Sequence, residues 1–346
     1  MQVFLYEHLT ATGNGPECLL REGEAMVQAL AADFATLPKM NVLVARHPRL
    51  APLNLGPRVK CVDAKTANAR SVEDFTGAFF DLRLRPDYAL AIAPETDQIL
   101  VNVAMPLEVI AKTCLHPYAG SMALASDKLF FAERLALVDA PTPPVWRPTP
   151  ESPSLPEDWK FPSVIKPIDG AGSVGIRKVD TREAFEKETL GENDMLQQWA
   201  PGIPVSVAAL CNATAFETLE PCGQTLGGDA GFSYLGGASP LPKHLSFRAR
   251  RLVEMGVICL QFQTKAPRGY VGVDMVLGEA YDGSEDYIIE VNPRITTSYV
   301  GLRKYYKTNL AGAMIDVVQG REPKLVPRGV EVAWDSAGTV TVTEKK

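Results

Sequence analysis

The stretch Asp286-Tyr-Ile-Ile-Glu-Val-Asn-Pro-Arg294 combines an apolar β-strand with polar groups at its end. Because side chains alternate faces along a strand, we expect Ile288, Glu290 and Asn292 to share one face. Polar side chains on one face of an otherwise apolar strand indicate a binding site at this point of the fold.

A second apolar strand at 270–277 precedes this stretch and carries a single charge, Asp274. The Asp282-Gly283 pair between the two strands is a strong hairpin signal. A hairpin folded there places Asp274 opposite Glu290, where like charges destabilise a sheet unless a cation lies between them. Either carboxylate alone could instead occupy a solvated strand end. Together with Asn292 they form an oxygen donor set that suits Mg²⁺, with Mn²⁺ as the alternative.

A glycine-rich stretch, Lys166-Pro-Ile-Asp-Gly-Ala-Gly-Ser-Val-Gly175, follows a short apolar strand. Glycine backbone N–H groups can approach phosphate oxygens closely, and a lysine supplies positive charge to the same oxygens. The lysine precedes the glycines and no G-K-[ST] follows, so this is not a Walker A loop. A plain glycine turn between strands is the alternative interpretation.

Residues 1–118 alternate between apolar strands and segments with helix-period apolar residues. Strands are predicted at 2–6, 40–45 and 88–93, and helices at 17–37, 71–82 and 98–113. This alternation predicts a parallel, doubly wound α/β sheet. Ligands bind beyond the carboxyl ends of such strands, where Glu7 and Glu95 lie. Each of these glutamates either contacts substrate or is an ordinary loop residue.

Shorter elements follow this first lobe. Ser126 or Asp127 is expected to cap a helix that contains Lys128, and a proline-rich extended connector follows at 140–150. A capping box predicts a further helix over 180–190.

The C-terminal part of the chain carries four predicted features. Residues 227–240 read as a glycine-rich loop, which either orders over a substrate or is a plain surface loop. Residues 295–302 read as a short irregular piece, and 308–319 as a final helix. The segment 330–342 alternates enough to predict a terminal hairpin.

Composition limits the classes of function. The 346-residue chain carries a net charge of −6, which provides no basic footprint for nucleic acid. Its six cysteines include no C-x-x-C pair, so neither a disulfide framework nor a zinc site is expected. The sequence shows no export signal and no apolar run of about 18 residues, so we expect a cytoplasmic protein with no membrane partner.

The motif Glu290-Val-Asn-Pro-Arg294, with an acidic residue on the preceding strand, resembles the magnesium-binding end of the ATP-grasp carboxylate–amine ligases. Two lysines, a glycine loop and a strand ending at Pro201-Gly202 occur in the order of that family. The resemblance implies an ATP-grasp fold that combines α/β and α+β lobes. A doubly wound preATP-grasp lobe would occupy 1–118, followed by a lobe with the glycine-rich loop at 119–194 and a lobe with the magnesium site at 195–346.

The resemblance also implies a role for each motif residue. The ATP-binding positions would be Lys128, Lys166, Gly170, Ala171, Gly172, Ser173, Gln198, Trp199 and Ala200. The metal ligands would be Asp274, Glu290 and Asn292. Arg294 and Lys166 would be the catalytic cations, because negative charge develops on the transferred phosphoryl group as an acyl phosphate forms. An amine would then attack the acyl carbon and expel phosphate to give an amide.

Segments 198–204, 234–237 and 292–299 are similar to the tyramine–glutamate ligase group of methanofuran- and methylofuran-type cofactor biosynthesis. This similarity implies glutamate as the acid and a tyramine- or tyrosine-like amine as its partner. The candidate substrate contacts are Glu7, Tyr234 and Tyr299. A homodimer is a possible assembly.

Two positions depart from the family pattern. Pro204 stands where a ribose-binding glutamate is common, with Ser206 as a candidate substitute. Gly272 stands where D-alanine ligase-type members carry an arginine, which argues against that activity.

Two other functions stay open. One is carboxylation with bicarbonate through carboxyphosphate, although the chain has no biotin-carrier segment and no cysteine-based glutaminase motif. The other is a catalytically retired ATP-binding regulatory module. Such a module would be expected to lose part of the polar set that this chain retains, namely Lys128, Lys166, Asp274, Glu290, Asn292 and Arg294.

Overall fold

The computed structural model describes residues 1–150, 152–170, 172–228, 231–263 and 267–344. Among the positions predicted from sequence, Ala171 lies outside these ranges. The described chain forms an N-terminal α/β lobe, a small antiparallel sheet and a large antiparallel sheet. No helix within these ranges is long and apolar enough to cross a membrane.

The N-terminal lobe is built around a parallel sheet. Its elements are β1 (Gln2–Glu7), α1 (His8–Thr12), α2 (Glu17–Thr36), β2 (Asn41–Ala45), β3 (Val59–Val62), α3 (Val72–Asp81), β4 (Tyr88–Ile92), α4 (Ile99–Ile110) and β5 (Thr113–Cys114). The strand order is β3-β2-β1-β4-β5, and the neighbours run parallel. The central strands β1 and β4 are buried almost throughout, as expected for a parallel sheet covered by helices on both faces. The predicted doubly wound lobe is confirmed.

A helical connection leads to the small sheet. The elements are α5 (Ala119–Ser126), α6 (Lys128–Leu137), β6 (Val145–Trp146), β7 (Ser163–Pro167), β8 (Arg177–Val179), α7 (Arg182–Phe185) and β9 (Asp194–Gln198). The strand order is β6-β9-β7-β8, with antiparallel neighbours. Asp127 caps α6, because its carboxylate accepts the backbone N–H of Phe130 at 2.8 Å. This cap places Lys128 at the first position of the helix.

The small sheet differs from the expectations in three ways. The proline-rich connector joins the sheet, because residues 145–146 pair with β9. The helix expected over 180–190 is a single turn capped by Thr181. Phe185 and Leu190 both pack against the core of the small sheet, but residues five positions apart do not share one face of a helix. The expected lobe boundary at 194 cuts into β9, which pairs with β7 through Gln198.

The large sheet contains the metal motif. Its elements are β10 (Ile203–Cys211), β11 (Phe216–Thr218), β12 (Cys222–Gly227), β13 (Ser233–Ser239), α8 (Lys243–Gln263), β14 (Gly269–Leu277), β15 (Tyr287–Asn292), α9 (Ser298–Tyr305), α10 (Leu310–Val318), β16 (Val330–Asp335) and β17 (Val340–Glu344). The order is β15-β14-β10-β12-β13-β16-β17, with β11 also paired to β10. The predicted terminal hairpin therefore extends this sheet through β16, which pairs with β13.

The segment 227–240, which was expected to be a glycine-rich loop, contains the whole of β13. A Cβ added to Gly237 would lie 2.7 Å from the Trp334 ring, so the missing side chain lets the indole of β16 pack onto the strand. Glycine in a strand commonly marks such a close approach of a neighbouring group. Two of the glycines in this segment, Gly236 and Gly237, therefore leave room for Trp334.

Two further differences lie on either side of the Pro293-Arg294 turn. The piece expected to be irregular at 295–302 contains the start of α9, whose Tyr299 and Leu302 are fully buried one turn apart. A β-bulge at Ile289 shifts the β14–β15 register between Asp274 and Met275. Ile288 therefore packs in the core, and does not share the face of Glu290 as the simple alternation predicted.

Helix α2 joins the N-terminal lobe to the large sheet. One hydrophobic cluster contains residues of β1 and α2 together with residues of α9, α10 and β16. Asp33 of α2 accepts a hydrogen bond from the Tyr299 hydroxyl at 2.8 Å and pairs with Arg303. The small sheet has a separate apolar cluster, with Ile165, Val179 and Leu196 at its centre.

Candidate active site

A cavity of about 270 Å³ lies between the small sheet and the large sheet, and α2 contributes to its wall. Its charged lining comes from all three parts of the fold. These side chains are Glu22, Lys128, Lys166, Asp274, Glu290 and Arg294. The segments predicted to bind nucleotide and metal therefore converge on one cavity.

Asp274 and Glu290 face each other across β14 and β15, as the hairpin register predicted. Asn292 Nδ2 donates to Asp274 Oδ2 at 3.0 Å, and Gln224 Nε2 donates to Asp274 Oδ1 at 3.2 Å. Burial, and then the charge of Glu290, raises the pKa of Asp274. The paired carboxylates therefore form a site whose full ionisation is favoured by a cation.

Two buried lysines stand next to this pair. Lys128 Nζ lies 2.8 Å from Glu290 Oε2. Burial opposes the charge of Lys128, but the carboxylates of Glu290 and Glu95 outweigh it and raise the pKa of Lys128. Burial lowers the pKa of Lys166 to about 8, with Glu290 opposing this shift and Lys128 reinforcing it. Burial also opposes the charge of Glu290, but Lys128 and Lys166 lower its pKa overall.

The donor set fits the divalent cation predicted from sequence. Asp274, Glu290 and the amide oxygen of Asn292 offer the hard oxygen ligands that Mg²⁺ takes. Within the described ranges, no group of three or more His, Cys, Asp or Glu side chains could hold a metal by itself. Mg²⁺ is commonly held by one or two carboxylates and completes its shell with water and phosphate oxygens. The residues present therefore suit Mg²⁺ bound together with a phosphate ligand.

Arg294 is held in the site by the N-terminal lobe. Its Nε and Nη2 donate to Oε1 and Oε2 of Glu95 at 2.9 and 3.1 Å. Burial opposes the guanidinium charge, but Glu95 outweighs it and raises the pKa of Arg294. Glu95 therefore fixes a permanently charged guanidinium beside Asn292, whose Oδ1 lies 3.4 Å from Arg294 Nη2.

The glycine-rich loop borders the cavity through Gly170, Gly172 and Ser173. Gly172 has φ +66°, and a Cβ added there would lie 2.6 Å from Leu19 Cδ2 of α2. Both the backbone conformation and the close approach favour glycine at this position. The loop therefore extends from β7 to α2 with its backbone along the cavity.

Gln198, Trp199 and Ala200 line the cavity where β9 ends. The Trp199 ring packs edge-on against Phe232, with 5.8 Å between the ring centroids. Gln197 also lines the cavity, although the sequence interpretation did not single it out. Its side chain is buried, and its Nε2 has no hydrogen-bond partner among the described residues. A buried donor beside a cavity is a group that a polar ligand can satisfy.

The three candidate substrate contacts have different positions. Tyr234 lines the cavity, and its hydroxyl accepts a hydrogen bond from Trp334 Nε1 at 2.8 Å. Tyr299 is instead fully buried between α2 and α9 and bonded to Asp33, so the expected substrate contact is replaced by a core position. Glu7 caps α1 by accepting two backbone N–H groups at 3.2 and 2.7 Å, because α1 follows β1 directly.

Several cavity residues carried no local sequence signal. Glu22, Gln224 and Trp334 reach the cavity from α2, β12 and β16. The alternation of side chains along β12 would identify Gln224 as a cavity residue only if the position of β12 in the sheet, next to β10 and near β14, were already known. Ser206, the candidate ribose contact, lies opposite Asp274 and hydrogen-bonds to its carboxylate.

Two sheets around a cavity with buried lysines, a glycine loop and paired carboxylates define a nucleotide-binding enzyme. The ATP-grasp domain family matches residues 125–298, which is half of the chain and includes Lys128, Lys166 and the β14–β15 pair. The chain belongs to the ATP-grasp family, and it is an ATP-dependent ligase. The predicted family and fold are confirmed.

Two curated relatives are similar to this chain over most of its length. The tyramine–L-glutamate ligase of Methanocaldococcus fervens is 26% identical over 310 residues, which cover 87% of this chain and 89% of the relative. The tyramine–L-glutamate ligase of Methanocaldococcus jannaschii is 25% identical over 336 residues, 96% of this chain and 94% of the relative. A crystal structure of an ATP-grasp superfamily protein from Archaeoglobus fulgidus has a TM-score of 0.70 at 20% identity, covers 100% of both chains and shows the same fold.

Proposed function

We propose that this protein forms an amide bond between glutamate and a tyramine- or tyrosine-like amine, with ATP activating the acid as an acyl phosphate. The observation that carries the proposal is the convergence of Asp274, Glu290, Lys128, Lys166 and Arg294 on one cavity. The two relatives that match most of the chain are named tyramine–L-glutamate ligases, which supports this choice of acid and amine.

The side chains of the cavity divide the work of phosphoryl transfer. Lys128 and Lys166 place positive charge where the ATP phosphates would lie, and the glycine loop offers backbone N–H groups to the same oxygens. Asp274, Glu290 and Asn292 would hold Mg²⁺, which when bound neutralises charge on the phosphate oxygens. Arg294, fixed by Glu95, stabilises the charge that develops as the phosphoryl group moves to the acid.

The reaction balances in two steps. A carboxylate oxygen of the acid attacks the γ-phosphorus of ATP, the bond to the β-phosphate oxygen breaks, and ADP leaves. The neutral amine then attacks the acyl carbon, and phosphate leaves as the amide forms and the nitrogen loses a proton. No oxidant or further co-reactant is needed.

The position of Gly272 supports a substrate other than D-alanine. A Cβ added to Gly272 would lie 2.6 Å from Thr296 Cγ2. An arginine at this position, as D-alanine ligase-type members carry, would therefore require Thr296 to move. A different group must bind the acid here.

The proposal is tested by measuring ADP and phosphate release with Mg·ATP in a matrix of acids and amines. The acids include glutamate, aspartate and bicarbonate, and the amines include tyramine, tyrosine and alanine. We expect ADP release that requires both glutamate and a phenolic amine, with a product mass equal to their sum minus water. Turnover with bicarbonate in place of the acid would redirect the assignment to carboxylation. Tight ATP binding without turnover across the matrix would contradict the ligase.

A further inference from the structure

One part of the cavity wall is built from segments that are far apart in the sequence. Glu22 of α2 lines the cavity together with Thr297, Tyr234 and Trp334. Thr297 Oγ1 donates to Glu22 Oε2 at 3.2 Å, and the charge of Glu22 contributes to the raised pKa of Tyr234. The terminal hairpin of β16 and β17 also packs onto α2, because a Cβ added to Gly338 would lie 2.4 Å from the Cβ of Ala25.

Glu22 has no cationic partner in the part of the chain that the structure describes. None of the ion pairs there includes its carboxylate, and the bond from Thr297 leaves Oε1 without a protein donor. Burial raises the pKa of Glu22, while the bond from Thr297 and the charge of Arg294 oppose the shift. The guanidinium of Arg294 is already engaged by both oxygens of Glu95. The cavity therefore contains a half-buried carboxylate whose charge is not matched by a protein cation.

We propose that Glu22 binds the protonated amino group of a substrate, at the wall that it forms with Tyr234 and Trp334. The inference rests on the proposed function, because an amide ligase that uses an amino acid and an amine must accommodate ammonium groups. A carboxylate forms charge-assisted hydrogen bonds with an ammonium, and aromatic rings nearby favour a cation further. Two substrates could supply the group: the acceptor amine, or the acid if it is an α-amino acid.

A purely structural role explains the carboxylate less well. The bond to Thr297 connects α2 with the turn before α9, but a neutral glutamine could accept the same hydroxyl. The two elements are already joined by Asp33, which pairs with Arg303 and accepts from Tyr299. A single hydrogen bond from the Thr297 hydroxyl does not offset the free energy that it costs to hold a carboxylate in a half-buried position without a cation. The negative charge itself requires a partner.

The test is steady-state kinetics on the full-length wild-type protein, Glu22→Gln, Glu22→Asp and a control, Glu17→Gln. Glutamine at 22 can keep the Thr297 hydrogen bond while removing the charge. Glu17 lies on the same helix, but it is exposed and paired with Arg21. We expect Glu22→Gln to raise the KM of the ammonium-bearing substrate about 10- to 100-fold, with the KM of ATP nearly unchanged. Glu22→Asp should recover part of the loss, and Glu17→Gln should behave as wild type.

Hydroxylamine distinguishes the two sources of the ammonium, because it traps an acyl phosphate and is uncharged at neutral pH. If Glu22 binds the acceptor amine, Glu22→Gln loses amide formation but keeps hydroxamate formation from glutamate. If Glu22 binds the α-ammonium of the acid, hydroxamate formation from glutamate falls, whereas that from glutarate, which has no amino group, does not. Either pattern supports the inference.

Three results would overturn it. The first is an unchanged KM for both substrates in Glu22→Gln. The second is an equal loss of hydroxamate formation with glutamate and with glutarate, and the third is a parallel rise in the KM of ATP. Both of these results indicate a structural role. If the wild-type protein itself produces neither amide nor hydroxamate, the proposed function fails, which is separate from a failure seen only in the variants.

Discussion

The ion pair between Glu95 and Arg294 allows a quantitative test of how the N-terminal lobe positions the guanidinium that we propose to be catalytic. The side chains are 2% and 16% exposed, and two hydrogen bonds of 2.9 and 3.1 Å join them. Removing one partner of a buried ion pair costs about 3–5 kcal/mol. The remaining bonds of Arg294, to Ile295 O and Asn292 Oδ1, are both 3.4 Å long and compensate little.

We therefore expect Glu95→Gln to lower the free energy of unfolding by about 3 kcal/mol. This value is at the lower end of the range for buried ion pairs, because Glu290 and Asp274 also attract the Arg294 guanidinium. Arg294 would no longer be fixed, so kcat should fall about 10- to 100-fold. The KM of ATP should change little, because Lys128 and Lys166 remain. Urea unfolding and ADP release measure the two effects.

Asp33→Asn provides the matched control for this experiment. Asp33 forms a second ion pair between the N-terminal lobe and the C-terminal helices, through Arg303, but it lies away from the cavity. This variant should lose stability while keeping kcat. Wild-type stability and kcat in Glu95→Gln would refute the positioning role, as would additive effects of Glu95→Gln and Arg294→Gln in a double-mutant cycle.

Three further predictions follow from the same site. The pKa of Lys166 is lowered to about 8, so Lys166 loses its proton in the free protein above that pH, and ATP binding should weaken and be accompanied by proton uptake as the pH rises. Calorimetry in buffers of different ionisation enthalpy measures the proton uptake. Binding without proton uptake at about pH 9 would contradict the prediction. Glu290→Ala should abolish Mg·ATP turnover while circular dichroism shows a folded protein, and residual wild-type turnover would remove Glu290 from the metal site. Arg294→Ala should bind ATP with nearly unchanged affinity but lose ADP release, so that weakened ATP binding with normal kcat would reverse its assigned role.

The pairing of Asp274 and Glu290, the two proposed metal ligands, could be predicted from sequence because both residues belong to one hairpin. The Asp282-Gly283 turn between two apolar strands predicts an antiparallel hairpin, and Asp274 does lie opposite Glu290 in that hairpin. The bulge at Ile289 was not predictable in the same way, because the strand pattern remains apolar with or without an extra residue. Next to the turn Met275 lies opposite Ile288, a register that alone would place Asp274 opposite Ile289, so the pairing of the two carboxylates also depends on the bulge.

The parts of the site that escaped prediction depend on contacts between distant segments. Glu22 and Thr297 are 275 positions apart, and Gln224 and Asp274 are 50 apart. Glu95 was left open between a substrate contact and a loop residue, because its partner Arg294 lies on another lobe. In each case the neighbouring residues in the sequence do not reveal the distant partner, and only the packed fold decides what the polar side chain contacts.

The separate core of the small sheet has a consequence for how ATP is held. The N-terminal lobe and the large sheet share one hydrophobic cluster, so we expect them to move together, whereas the small sheet can turn as a hinged body. Lys166 and the glycine loop travel with that body, while Lys128 and the carboxylates stay behind. Since the phosphates would bridge the two halves, we expect nucleotide binding to favour closure of the small sheet over the cavity. The triphosphate would then act as the reactant and would also hold the two halves of the site together around its own reaction.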